Sequence, residues 1–140
     1  MEKICLDFET ALDFLRGDPG TIEKLKYYAD REEVCITSLT MMHLLEAVNK
    51  PDVVIDFAAR VTVLPFDRKA AQFASKIKNE LREYGDGGHL TDSVLTAAIC
   101  IANDALLYSR SQAKFAGIKG LKRVLKAANG LKASVDAFYL

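Results

Sequence analysis

Two carboxylates stand where packing gives an acid no reason to be. Asp7 closes the apolar run Ile4-Cys5-Leu6, and Asp92 opens a stretch, Val94 to Ala102, that is apolar nearly all round. The first run reads as a short buried strand and the second as a buried helix. Strand-end and helix-start carboxylates that converge on one cleft form the minimal oxygen set for Mg²⁺ or Mn²⁺, which bind through one or two carboxylates plus water and phosphate. Each acid also has a plain structural role. Asp7 can cap whatever follows the strand, and Asp92 can be a first-turn acid favoured by the helix dipole, by about 0.3–1 kcal/mol.

A second group of residues is basic. Residues 105–135 hold Arg110, Lys114, Lys119, Lys122, Arg123, Lys126 and Lys132 and no acid, whereas residues 1–104 carry 12 Lys/Arg against 18 Asp/Glu. Such asymmetry marks a nucleic-acid face, a dock for an acidic partner, or simply a solvated helix face. Arg110, Lys114, Lys119, Lys122 and Arg123 could contact the phosphates of a single RNA strand, which supplies affinity without reading sequence. No phosphate-binding Walker loop, G-x-S-x-G elbow or dinucleotide fingerprint is present.

The elements that must position these residues alternate. Strands are expected at 4–6, 34–37, 61–64 and 105–109. Helices are expected at 11–16, stopped by Gly17; from Pro19, capped by Asp18; from Ser38 to about Val48, capped by Thr37 or Ser38; from Pro51 to Ala59; from Asp67 to about Tyr84; and from Asp92 to about Asn103, capped by Thr91. Gly85-Asp86-Gly87-Gly88 reads as a break and a mobile loop. The basic segment is expected to form one more amphipathic helix, with Leu121, Val124, Leu125 and Ala128 on its apolar side. Residues 133–140 read as a terminal strand or a docked tail. This alternation predicts an α/β fold: a central, mainly parallel sheet of four to five short strands with helices on both faces. Ligands of such sheets sit at the carboxyl ends of the strands, where Asp7 and Ser109 both lie.

The chain of 140 residues, half of them apolar, has the size and composition of one globular domain, 1–140. Cys5, Cys35 and Cys100 are odd in number and lack any C-x-x-C pairing, so they read as buried thiols rather than a disulfide framework or zinc site. The opening residues are too quickly interrupted by charge for a signal peptide, and no apolar run is long enough to span a bilayer. The expectation is a cytoplasmic protein with no membrane partner.

Several segments, in order and at similar spacing, resemble the PIN domain family, and within it the VapC toxin ribonucleases. Leu6-Asp7-Phe8-Glu9 through Asp13-Phe14-Leu15-Arg16-Gly17 resembles the family's opening L-D-T-N-x-L-I-D-x-L-R-G. Ser38-Leu39-Thr40-Met41-Met42-His43-Leu44-Leu45 resembles its S-x-x-T-x-x-E-L helix, and Val63-Leu64-Pro65-Phe66-Asp67 its V-L-P-F-D segment. Asp92-Ser93-Val94-Leu95-Thr96-Ala97-Ala98 resembles D-x-L-I-A-A, and Leu107-Tyr108-Ser109-Arg110-Ser111 with Lys114-Phe115 resembles L-V-T-x-N-x-x-D-F. The resemblance is strongest over residues 4–116, with 117–140 as a basic extension. It implies a PIN-like fold, a divalent-metal-dependent endoribonuclease using Mg²⁺ or Mn²⁺, a toxin paired with an antitoxin protein, and a homodimer. Tyr27, Tyr28, Met41 and Met42 form an apolar neighbourhood that could serve as the dimer face.

The departures fall on the chemistry. The resemblance implies four acids around the metal; Asp7 and Asp92 match two, the helical Glu falls on His43, and the last Asp falls on Lys114. The Asn of the opening motif is Glu9, and the strand-end Asn is Ser111. A lysine ammonium can satisfy carboxylates in a metal's place, and histidine favours Mn²⁺ or Zn²⁺ over Mg²⁺. Glu9, and Glu46 one helical turn beyond His43, are the available substitute acids. The expectations are therefore a PIN-like protein with weak or lost ribonuclease activity, needing no metal, that still binds RNA or protein; an active endoribonuclease using Asp7, Asp92, Glu9 and Glu46; or a dimeric non-catalytic scaffold. His43, Glu46 and Lys114 also read as an ordinary rim histidine and solvated surface residues.

Overall fold

The computed structural model of the protein describes residues 1–83, 91–125 and 133–136. Among them, β1 (Lys3–Leu6), β2 (Glu33–Thr37), β3 (Thr62–Leu64), β4 (Ala105–Tyr108), β5 (Lys122–Leu125) and β6 (Ala133–Asp136) form one six-stranded sheet in the order β3-β2-β1-β4-β5-β6. Neighbours from β3 across to β5 are parallel, and β6 runs antiparallel at the edge. The chain builds outward from β1 to β3, then returns to the other side of β1 with β4. That reversal opens a crevice beyond the carboxyl ends of β1 and β4, which is where α/β sheets bind ligands.

Local chemistry sets most of the helices. Asp7 caps α1 (Phe8–Leu15) by accepting from the Thr10 amide at 3.0 Å, and Gly17, at φ +85°, ends it. The cap explains why α1 begins at Phe8 rather than at the expected Ala11, and it puts Glu9 in a first helical turn. Asp18 caps α2 (Pro19–Arg31), and Thr37 caps α3 (Ser38–Ala47). α4 (Pro51–Arg60) opens on proline, and Asp67 caps α5 (Arg68–Glu83). In α6 (Thr91–Ala102), Thr91 is the first helical residue rather than the cap. The glycine-rich segment 85–88 lies outside the described residues.

Both faces of the sheet are covered. Cys5 and Cys35 pack with α5 and α6 through Ala70, Ile77, Ala97 and Cys100. Leu6 and Ile36 point the other way, onto Ala11 of α1, Leu44 of α3 and Val54 and Phe57 of α4. Strands buried on both sides need continuous apolar runs, as Ile4-Cys5-Leu6 supplies. Fully buried Ile36 and Leu44 each contribute about 1.5–3 kcal/mol by leaving water.

The basic segment corrects the sequence reading. Lys122–Leu125 is a strand, not a helix, paired in parallel with β4. Spacing among Leu121, Val124 and Leu125 imitates a helix, but four residues are too few for periodicity to decide. The other edge of β4 carries backbone groups that need partners, and β5 supplies them. Ala133–Asp136 takes the terminal-strand reading and adds an antiparallel edge to the five parallel strands expected, among the described residues. Tyr28 is 2% exposed and packs with Ile4, Leu106 and Val124, so it belongs to the core and not to an exposed apolar face.

Candidate functional site

Four elements meet at the β1/β4 crevice. The β1–α1 junction brings Asp7 and Glu9, one face of α3 brings Thr40, His43 and Glu46, the start of α6 brings Asp92 and Thr96, and the one-turn 3-10 helix Gln112–Phe115 brings Lys114. Together these residues line a cavity of about 360 Å³. Residues spread over more than a hundred positions of sequence thus share one pocket.

Asp7 is 5% exposed, and both of its oxygens are engaged. Oδ1 accepts from the Thr10 amide at 3.0 Å, and Oδ2 accepts from the Ser109 hydroxyl at 2.5 Å. The Ser111 amide in turn donates to Ser109 Oγ at 2.9 Å. Ser109 was legible only as a strand-end position; its role as the partner of Asp7 comes from the β1–β4 register, which sets Leu6 beside Tyr108.

Glu9 is held by cations. Lys114 Nζ donates to its carboxylate, Arg110 Nε lies 3.3 Å from Oε2, and the Ser111 hydroxyl donates at 3.3 Å. Lys114 above all keeps the Glu9 carboxyl below the usual carboxylate range; burial opposes this, and Ser111 and Arg110 reinforce it. Arg110 also reaches Asp13 Oδ2 at 3.3 Å, a pairing with no signal in the motif spacing. Lys114 therefore sits on Glu9 rather than between Asp7 and Asp92.

His43 occupies the other wall. Nδ1 lies 3.0 Å from Glu46 Oε1, and Nε2 lies 3.3 Å from Asp92 Oδ2, near enough for an ion-pair contact but not aligned as a hydrogen bond. The ring stands edge-on to Phe8, centroids 5.9 Å apart. When it carries both ring protons, His43 is a cation between two carboxylates. Asp92 is 73% exposed at its side chain, so it stands at the rim of the cavity.

The remaining basic residues are not gathered here. Arg123 is 4% exposed and donates to the Phe115 carbonyl, so it cannot meet a phosphate in the cleft. Lys122 pairs with Asp104 at 2.6 Å, beside the amino end of β4 and so at the end of the strands away from the crevice. Lys119 is exposed in the segment leading to β5, outside the cavity lining. Lys126 and Lys132 lie outside the described residues.

As the side chains stand, the acids of the cleft are not gathered around one point. Glu9 is paired with Lys114 and Arg110, and Asp92, largely exposed, lies within ion-pair distance of His43. Among the described residues, no three His, Cys, Asp or Glu side chains converge closely enough to hold a metal ion.

A second cavity, about 440 Å³, lies between α1, α2 and α4. Phe14, Leu25, Val34, Val53, Phe57 and Val61 make it apolar, with Lys26, Asp56 and Arg60 on the rim. Among the described residues no helix is long and apolar enough to cross a membrane.

No protein-family model and no curated protein matches the sequence. Solved structures do. The chain is similar to one in the DNA-bound VapBC of Salmonella typhimurium, with 25% identity and a TM-score of 0.75, covering 88% of this chain and 97% of that one. It is also similar to one in VapBC2 of Rickettsia felis bound to a promoter DNA fragment, at 19% identity and a TM-score of 0.74, over 85% and 95% of the two chains. A toxin–antitoxin complex from Klebsiella pneumoniae matches at 15% identity and a TM-score of 0.68, over 84% and 94%. With its parallel five strands, its return of β4 beside β1 and its helices on both faces, the chain has the PIN-like α/β fold of these VapC neighbours.

Proposed function

We propose that this chain is a VapC-type member of a toxin–antitoxin pair in which metal-dependent ribonuclease activity is weak or lost and partner binding is kept. The observation that carries the reading is the Lys114–Glu9 contact: a cation occupies the carboxylate nearest in sequence to Asp7. Of the two binding roles, the protein partner has the better support. The apolar groove between α1, α2 and α4 suits an amphipathic segment of an antitoxin, read through alternate apolar anchors. RNA has less to hold, since Arg110 and Lys114 are engaged by Glu9 and Asp13, and Arg123 is buried. Met42 and Leu45, exposed on α3, offer an apolar face for a homodimer, which sedimentation of the purified protein tests directly.

The test of the functional reading is cleavage of a partly single-stranded RNA with Mg²⁺, with Mn²⁺ and with EDTA, beside an Asp92→Asn control. The expected result is no metal-dependent cleavage above the control. Cleavage that needs metal and vanishes in Asp92→Asn would mean that Glu9 and Glu46 serve as substitute acids and that the chain is an active endoribonuclease.

A further inference from the structure

The geometry points to an internal replacement of the divalent ion: Lys114, braced by Arg110, holds Glu9, and His43 covers Asp92, so that the acids of the cleft are assembled without metal and the site has lost its affinity for one. The inference deepens the proposed loss of metal-dependent activity and rests on that reading of the cleft; metal binding measured without RNA distinguishes the two, because a chain that binds metal and still cleaves no RNA would overturn the inference alone.

Three observations converge. First, four carboxylates, Asp7, Glu9, Glu46 and Asp92, line one cavity, and like charges held close together disfavour one another's ionisation unless a cation lies among them. Second, the two non-acidic titratable groups of that cavity, Lys114 and His43, are the ones in contact with those acids: Lys114 with Glu9, His43 with both Glu46 and Asp92. Third, Asp7 is satisfied by neutral donors, the Thr10 amide and the Ser109 hydroxyl, and needs no cation to be buried. Asp7 and Glu9 are therefore hydrogen-bonded by groups of the chain itself, Glu46 meets His43 Nδ1, and Asp92 lies within ion-pair distance of His43 Nε2.

An ammonium differs from a divalent ion in what it can gather. It is a compact point charge with three donors, and here it reaches one carboxylate across the mouth of the cleft. Mg²⁺ demands near-ideal octahedral oxygen geometry and draws acids from several elements onto one point. The observed arrangement is the dispersed kind. Asp92 stays at the rim with His43, Glu9 leans toward the residues that follow β4, and the two are not drawn to a common centre. Arg110 extends the same link to Asp13, adding a second side-chain tie between α1 and the residues that follow β4.

The test is a Mn²⁺ titration followed by electron paramagnetic resonance, with thermal unfolding in parallel, on the full chain and without RNA. The wild type is expected to bind no Mn²⁺ in the cleft and to show the same unfolding midpoint with Mg²⁺, Mn²⁺ or EDTA. Lys114→Asp with His43→Glu makes six acids of the lining and removes the ammonium. It is expected to bind Mn²⁺ at least about tenfold more tightly than wild type, because oxygen-ligand charge sets affinity. It should also unfold at a higher temperature with the metal than without. Adding Asp92→Asn to that double variant should abolish the gain. Lys114→Gln, a milder change, keeps the experiment decisive should the double variant not fold, and is expected to show a smaller gain of the same sign. Stoichiometric Mn²⁺ binding by the wild type that disappears in Asp92→Asn would overturn the inference. So would folded variants that gain no affinity.

Discussion

The Ser109 hydroxyl donates to Asp7 Oδ2 at 2.5 Å, although the two residues lie 102 positions apart. The bond joins the ends of the two strands that flank the crevice, and both residues are at least nine-tenths buried. Ser109→Ala removes this donor from a buried carboxylate and is expected to cost about 1–3 kcal/mol. Denaturant unfolding of the variant measures it. A change within the scatter of ordinary surface substitutions would mean that water takes over the hydroxyl's place.

Asp7 also caps α1, and the two roles separate by substitution. Asn retains a capping oxygen, so Asp7→Asn should keep α1 while weakening the link to Ser109. Asp7→Ala loses both and should cost about 1 kcal/mol more, the usual value of an N-cap. Equal losses in the two variants would show that capping is not what the Asp7 side chain contributes.

The Lys114–Glu9 pair gives a pH signature. Because Lys114 lowers the folded-state pKa of Glu9, the unfolded chain takes up the proton first as pH falls. The pair's contribution is thus complete above about pH 4.5, the ordinary value for the group, and is lost as pH falls through the folded-state value. Both side chains are partly exposed, so the contribution is about 0.2–1 kcal/mol and screened by salt. Wild type and Lys114→Met should differ by that amount at neutral pH and converge in acid; a difference that grows as pH falls would refute the assignment.

Cys5, Cys35 and Cys100 are fully buried in the core between the sheet and α5–α6. The Cys100 thiol's hydrogen bond and burial raise Cys5 well above the usual thiol value, and burial pushes Cys35 up to about 12. All three should resist alkylation in the native protein at pH 8 and react on unfolding. Mass spectrometry after timed labelling checks this, and rapid native labelling of any one of them would contradict the packing described.

The groove between α1, α2 and α4, proposed above as the seat of an antitoxin, can be tested by co-expressing the chain with a candidate antitoxin. Val53 lines the groove, whereas Ile55, on the same helix and also exposed, does not. Val53→Asp should weaken co-purification by roughly tenfold or more, as for a residue at an interface anchor, while Ile55→Asp should leave it unchanged. Equal effects would place the partner elsewhere.

What the sequence determined by itself was local or periodic. Asp18-Pro19, Thr37 and Asp67 announce helix starts because a capping side chain bonds an amide only a few residues on. The alternation of strand and helix led to a parallel sheet, and Asp7 and Asp92 stood out because an acid beside an apolar run needs a reason. The tertiary structure decided what depends on partners distant in the chain. The open edge of β4 turned Lys122–Leu125 into a strand, and that strand buried Arg123 and left Lys122 at the amino ends of the strands, away from the crevice. The loop after β4 brought Lys114 to Glu9 across 105 positions, and α3 met α6 so that His43 faces Asp92. A charge's effect depends on what lies within a few ångströms of it. Which of the chain's own cations lie beside the acids of this cleft was therefore decided only when the strands took their order.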